Sequence, residues 1–215
     1  MAIVQGCYGQ SMDYTVDMVF CIDATGSMED FTGAQNKIIN MVKQNAINFY
    51  SDFHNIMGQK GKKVRQLRVR IVAFRDYMAD GQHAMLVTDF MNLPQQTAEF
   101  EACINSIHAE GGGDIPEDGL EALAYAIKSK WNTEGAKKRQ VIVVWTDADA
   151  HKLGFGSKSR YYPKGMPADL GELSDWFCLL PMPATGNISL TTGISPGTFL
   201  PQPATVWRNR ITARS

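Results

Sequence analysis

The chain has 215 residues, 44% of them hydrophobic, with 21 Lys and Arg against 22 Asp and Glu for a net charge of -1. A chain of this length buries enough apolar surface to fold without a disulfide or a structural metal. It lacks the positive excess that nucleic-acid and anionic-membrane binders use to neutralise phosphates, so neither is an expected partner.

In chain order, Asp17-Met18-Val19-Phe20-Cys21-Ile22 is a short apolar run ending at Asp23, the pattern of a parallel strand buried on both faces. After the Thr25-Gly26-Ser27 turn, Ile38, Val42, Phe49 and Phe53 recur at helical spacing, and Ile39, Ala46 and Tyr50 widen the stripe. Gly58 and Gly61 mark the end of that helix. The basic run from Lys60 to Arg70 reads as a solvated turn leading into a strand. Leu67, Val69, Ile71 and Ala73 alternate as a strand, and residues 84–90 offer a short partner for a hairpin after the Asp80-Gly81 turn.

Phe100, Cys103, Ile104 and Ile107 form a second helical stripe that stops at Gly111-Gly112-Gly113. Leu120, Leu123, Ala124, Ile127 and Trp131 form a third, starting near Pro116. Val141 to Trp145 then repeats the buried-strand signature and ends at the acid Asp147. Residues 170–177 suit a short helix; residues 181–203 are rich in Pro, Thr, Ser and Gly, with a strand suggested only at 187–191. Strands alternating with helices of these lengths predict an α/β fold: a doubly wound, mainly parallel central sheet, helices on both faces, and one short antiparallel edge strand. The uncharged stretch from Trp176 to Trp207 holds five of the nine prolines and is no transmembrane helix. Cys7, Cys21, Cys103 and Cys178 include no C-x-x-C pair, and Cys21 and Cys103 sit in apolar faces. With no amino-terminal signal in view, this predicts a reducing, cytoplasmic setting.

Ligands of open α/β sheets bind beyond the carboxyl ends of the strands, where strand order reverses. Three loops qualify, at residues 23–27, 111–118 and 146–151, and each brings a carboxylate to that edge. Converging carboxylates and hydroxyls suit a hard cation, magnesium, manganese or calcium, over zinc. Simpler roles fit single residues: Asp23 as a helix N-cap, and Asp114 and Glu117 as first-turn acids facing a helix dipole. A lone His151 in a polar loop is expected at the surface. Asp76 fits either a supporting place behind the ion or a turn role with Arg75, and Asp149 a supporting or solvated one.

The segment Met18-Val19-Phe20-Cys21-Ile22-Asp23-Ala24-Thr25-Gly26-Ser27-Met28 resembles the first motif of the von Willebrand factor type A family, whose Rossmann-like domains carry a metal-ion-dependent adhesion site. Asp23, Thr25 and Ser27 match its D-x-S/T-x-S element, and Val141 to Trp145 with Thr146 and Asp147 match its late strand-plus-aspartate motif. The run from Gly111 to Glu117 resembles a G-G-G-D-x-P-E variant of its second motif, and Arg75-Asp76-Tyr77 is also familiar. The resemblance spans residues 13–178, leaving 1–12 as an extension and 179–215 as a Pro/Thr/Ser/Gly-rich segment that completes the domain edge or extends from it. It implies a non-enzymatic protein-binding module holding a divalent cation, magnesium first and manganese or calcium next. The implied ligands are Asp23, Thr25, Ser27, Asp147 and either Asp114 or Glu117, with a protein partner that offers an acidic side chain. The family's usual second loop supplies a neutral threonine, so an acid there strengthens metal binding and weakens the pull on an acidic partner. The run ending in D-x-T-G-S also resembles the nucleophile motif of haloacid-dehalogenase-like phosphotransferases. On that reading Asp23 is the nucleophile of a magnesium-dependent phosphohydrolase, with Lys137 or Lys138 as its lysine.

Overall fold

A computed structural model of the chain describes residues 13–29, 38–113, 116–135, 137–178 and 190–191. The predicted alternation of strands and helices is present: β1 (Tyr14–Asp23), α1 (Ile38–Gln59), β2 (Val64–Phe74), β3 (Met85–Val87), β4 (Met91–Leu93), α2 (Thr97–Ser106), α3 (Gly119–Ile127), β5 (Lys137–Trp145), α4 (Leu170–Cys178) and β6 (Leu190–Thr191). The sheet runs in the order β3-β2-β1-β5-β6, with β4 also on β2. β1 is parallel to β2 and to β5, and β5 is parallel to β6. The chain therefore steps from β1 to one side and later returns to the other, which makes the carboxyl end of β1 the switch point of the sheet.

All ten residues of β1 are buried, as the apolar run at 18–22 requires of a central strand, and Thr15, Asp17 and Asp23 are its buried polar positions. Its alternation divides the core. Met18, Phe20 and Ile22 face α1 and α2, where Ile39, Val42, Ala46, Phe100 and Ile104 meet them, and Phe20 lies 5.6 Å from the ring of Phe49 and 5.0 Å from Trp145. Val19 and Cys21, with Val72 of β2, face the opposite layer, where Ala122, Ala126 and Ile127 of α3 and Leu173 of α4 meet them. Two buried helical layers and a two-faced sheet are the doubly wound arrangement the periodicities predict.

The edge departs from the expected single hairpin strand. β3 and β4 both pair antiparallel with β2, Val72 opposite Val87 and Val69 opposite Met91, and the register slips by one residue between them. Thr88 sits at that bulge: its amide donates to the Ile71 carbonyl at 3.0 Å and its Oγ1 accepts from the Ile71 amide at 3.0 Å. The side chain thus takes over one ladder position and keeps the bulged edge satisfied. The third helix begins at Gly119 rather than near Pro116, and Trp131 lies beyond its end, folded back so that its indole donates to the Ile127 carbonyl at 3.0 Å. The basic run leads into a strand as expected, and its last two arginines are held by partners. They lie in β2, where Arg68 pairs with buried Asp17 and Arg70 binds the Thr88 carbonyl and Ser129. Among the described residues no helix is long and apolar enough to cross a membrane.

Candidate functional site

The first loop is built onto the carboxyl end of β1. Asp23 ends the strand fully buried, and its Oδ1 accepts from the Thr25 amide at 2.9 Å and from Thr25 Oγ1 at 2.6 Å. Thr25 Oγ1 is 3.1 Å from Ser27 Oγ, which donates to Asp147 Oδ1 at 2.9 Å. From the end of β5, Thr146 Oγ1 donates to Asp23 Oδ2 at 2.7 Å. Asp23, Thr25, Ser27, Thr146 and Asp147 thus form one connected network of carboxylate and hydroxyl oxygens across two neighbouring strands. Asp147 and Asp149 are exposed at its outer rim, while Asp23 lies at its floor. Asp23 closes the tight Asp-x-Thr turn that follows it, and the simpler alternative of a helix N-cap is not realised, since Thr25 precedes the short helical turn.

Backbone bonds bring the second loop over the first. The Gly26 amide donates to Gly111 at 3.1 Å and the Glu110 amide to Ala24 at 3.0 Å. Gly112 has a φ of +74°, and a Cβ there would sit 2.8 Å from Glu117 Oε1 and 3.1 Å from Thr25 Cβ. The glycine is needed both for its left-handed backbone and for the close approach of the Glu117 carboxyl and the Thr25 side chain to the loop. The third loop is zipped to the second: Glu117 and Ala150 form a parallel bridge, with the Glu117 amide on Asp149 at 2.9 Å and the His151 amide on Glu117 at 2.8 Å. Asp114 lies outside the described residues.

Glu117 is 3% exposed, and its Oε2 has no hydrogen-bond partner. Burial, then the charges of Asp23, Asp76, Asp80 and Asp118, push its carboxyl up to about 8. Burial likewise raises Asp23, against the lowering effect of the bonds from Thr25 and Thr146. A buried carboxyl with an unpaired oxygen, facing a second buried carboxyl, is the electrostatic deficit a cation would relieve. The donor types, carboxylate and hydroxyl without thiolate or imidazole, fit a hard cation. Among the described residues no three Asp, Glu, His or Cys side chains converge as a metal cage, so hydroxyls would have to contribute.

Two side chains differ from the sequence expectation. His151 is not a surface group: it is 5% exposed, its Nε2 lies 3.1 Å from Asp76 Oδ2, and its ring stacks on Phe155 at 3.8 Å. Asp76 serves a turn, but without Arg75; it accepts from the Met78 amide and, at 3.1 Å, from the Ala79 amide. Arg75 instead reaches the Ala24 carbonyl at 3.1 Å and Glu110 at 2.9 Å, tying the first and second loops. Two residues below the site, Asp118 and Glu121, escaped sequence reasoning. Asp118 accepts from the Tyr77 amide at 2.7 Å, and burial pushes it up to about 7. Glu121 accepts from the Tyr162 hydroxyl at 2.8 Å and the Gly154 amide at 3.1 Å. The available signal was a glutamate inside the apolar run of α3, where only a specific partner makes its burial tolerable.

Lys137 and Lys138 start β5 opposite Tyr14 and Thr15. Asp23 is at the other end of the neighbouring strand, ~30 Å away at the usual rise per residue. The phosphohydrolase arrangement therefore lacks the lysine assigned to it.

The von Willebrand factor A domain model matches residues 17–155. Among curated proteins, the chain is 24% identical over 152 residues to the alpha-protein kinase vwkA of Dictyostelium discoideum, covering 71% of this chain and 21% of that protein. It is 26% identical over 160 residues to the integrin beta pat-3 of Caenorhabditis elegans, covering 69% of this chain and 19% of that one. The chain thus spans about a fifth of the length of these relatives. Solved structures with similar folds include a von Willebrand factor type A protein from Catenulispora acidiphila, 15% identical with a TM-score of 0.47 over 84% of this chain and 33% of that chain. The pilus adhesin SpaC of Lactobacillus rhamnosus GG is 17% identical with a TM-score of 0.46 over 62% of this chain and 15% of that chain. With the family model running from the first buried strand through the third loop, this chain belongs to the von Willebrand factor A domain family, a family of protein-interaction modules.

Proposed function

We propose that this chain is a metal-dependent protein-binding module, with a divalent cation held at the carboxyl end of β1 by Asp23, Thr25, Ser27, Glu117 and Asp147. The observation that carries this reading is the oxygen network from Asp23 through Thr25 and Ser27 to Asp147, closed by Thr146. Thr25 and Thr146 keep the buried Asp23 oriented and favour its ionised form. Ser27 and Asp147 present oxygens at the rim, and Glu117 adds a carboxylate from below. A bound hard cation supplies an electrophilic position that an oxygen ligand from a partner completes. Magnesium is the first choice, manganese and calcium the next, and Asp114 is the alternative acid from the second loop.

The G-G-G-D-x-P-E loop is read as a family variant in which an acid replaces a neutral hydroxyl. An acid from the second loop adds negative charge beside Asp23, so charge is more nearly balanced within the protein, and a tight metal site with modest carboxylate capture is favoured. The working unit is residues 13–178, the role is interaction rather than catalysis, and the setting is cytoplasmic.

Calorimetric titration of magnesium, manganese and calcium into EDTA-stripped protein tests the reading. Wild type should give saturable heat with at least one ion, and Asp23→Ala should abolish it. Identical heats for the two proteins would overturn the proposal.

A further inference from the structure

Residues 151–168, between β5 and α4, contain four Lys and Arg and no Asp or Glu, in a chain whose net charge is -1. Lys152, Lys158, Arg160 and Lys164 are all exposed. Among the described residues, none of the four is in ion-pair contact with a carboxylate. Two of the exposed large apolar side chains sit among them: Phe155, 48% exposed, and Tyr161, 38% exposed. Phe155 is backed on one face by His151, and Arg160 lies over the Tyr161 ring at 4.6 Å.

The loop is preformed. The Gly154 amide donates both to Glu121 and to the Tyr162 hydroxyl at 3.1 Å, and that hydroxyl donates to the same Glu121 oxygen at 2.8 Å. Glu121 is fully buried in α3, so residues 154 and 162 are clamped together and the segment between them is displayed as a fixed loop. Tyr162 also packs edge-on against Tyr77 at 5.2 Å. A surface already held in one conformation loses little entropy when a partner docks.

We infer that this β5–α4 loop is a docking surface for an acidic polypeptide segment that also carries apolar side chains. Carboxylates of the segment would pair with Lys152, Lys158 and Arg160, and its apolar groups would cover Phe155 and Tyr161. A polypeptide fits better than a nucleic acid. The loop is bounded by exposed Asp147 and Asp149 on one side and by exposed Asp169 and Glu172 on the other, and these would repel the continuous phosphates of a strand. The inference deepens the interaction-module reading but does not need the cation: it moves recognition of an acidic partner from the metal position to the basic loop beside it.

The test uses the full chain in EDTA and a fluorescein-labelled peptide of alternating glutamate and phenylalanine, followed by anisotropy. An oligodeoxythymidylate of equal length is titrated in parallel. Wild type should bind the peptide saturably, more weakly as sodium chloride is added. The triple variant Lys152→Glu/Lys158→Glu/Arg160→Glu should bind it roughly tenfold more weakly, while the charge-matched control Lys60→Glu/Lys62→Glu/Lys130→Glu should stay within about twofold. Because all six positions are exposed, melting temperatures should remain close to wild type, and the salt dependence of the wild type stands without any variant. The idea is overturned if the peptide shows no saturable binding, if the loop variant matches wild type, or if the oligonucleotide binds more tightly than the peptide. Failure of the cation reading shows only in the metal titration of Asp23→Ala and leaves these outcomes unchanged.

Discussion

Thr146→Val removes one hydroxyl from the centre of the site and leaves its shape almost intact. In the wild type, Asp23 receives three hydrogen bonds, from the Thr25 amide at 2.9 Å, Thr25 Oγ1 at 2.6 Å and Thr146 Oγ1 at 2.7 Å. Among the described residues Thr146 is the hydrogen-bond partner of Oδ2, and its own Oγ1 accepts from the Ala148 amide at 3.1 Å. Valine leaves a buried carboxylate oxygen and a loop amide without that partner, a loss of roughly 1.5–3 kcal/mol for a hydrogen bond to a charged group. For a domain of this size that is a fall in melting temperature of about 3–10 °C. The loss should be full at neutral pH and shrink in acid, because the missing bond favours only the ionised form of Asp23. Thermal unfolding in EDTA of wild type, Thr146→Val and Thr146→Ser measures it. Serine keeps the hydroxyl, so Thr146→Ser should recover most of the stability. The reasoning is refuted if Thr146→Val melts within about 1 °C of wild type, or if serine and valine lose equally, which would assign the effect to the methyl packing.

At the opposite end of β1, Arg68 grips Asp17 through two bonds, Nε to Oδ1 at 2.8 Å and a terminal nitrogen to Oδ2 at 2.6 Å, and the Asn132 amide adds a third at 2.6 Å. Asp17→Ala strands a largely buried guanidinium and should lower the unfolding free energy by about 3 kcal/mol, read by urea titration; a loss below about 1 kcal/mol would contradict that account. The cation-free protein should also lose stability as pH rises. Glu117, raised to about 8, and Asp118, raised to about 7, keep protons in the folded state that the unfolded chain releases near pH 4 to 5. Their contribution is therefore full below the ordinary carboxylate range and is lost as pH climbs toward about 8. Melting temperatures in EDTA should fall across that interval, and Glu117→Gln should flatten the slope; a rise with pH in wild type would refute the assignment.

Much of the site was readable because its parts are local. Asp23, Thr25 and Ser27 lie within one turn, and Asp147 lies two residues beyond a strand whose apolar run is unmistakable. What was misjudged depended on contacts between distant segments. His151 looks polar and unpatterned in sequence, yet Asp76, 75 residues earlier, bonds its ring from beneath and Phe155 covers it. Glu121 is one glutamate within an apolar helix, and its role follows from Tyr162 and Gly154 arriving in a later loop. The cations of the 151–168 loop, Lys152, Lys158, Arg160 and Lys164, are separated by uncharged residues and form no run in the sequence, and neither their exposure nor the clamp beneath them is a local property.

The sequence by itself determined the class of fold, because continuous apolar runs and 3.6-residue stripes leave few ways to bury every face, and it determined which strand end carries oxygen donors. Tertiary structure decided which donors meet. Parallel pairing of β1 with β5 puts Thr146 against Asp23, and the Glu117–Ala150 bridge turns Glu117 inward. Pairing register and loop packing are set by long-range burial, summed over many weak contacts that no local pattern encodes.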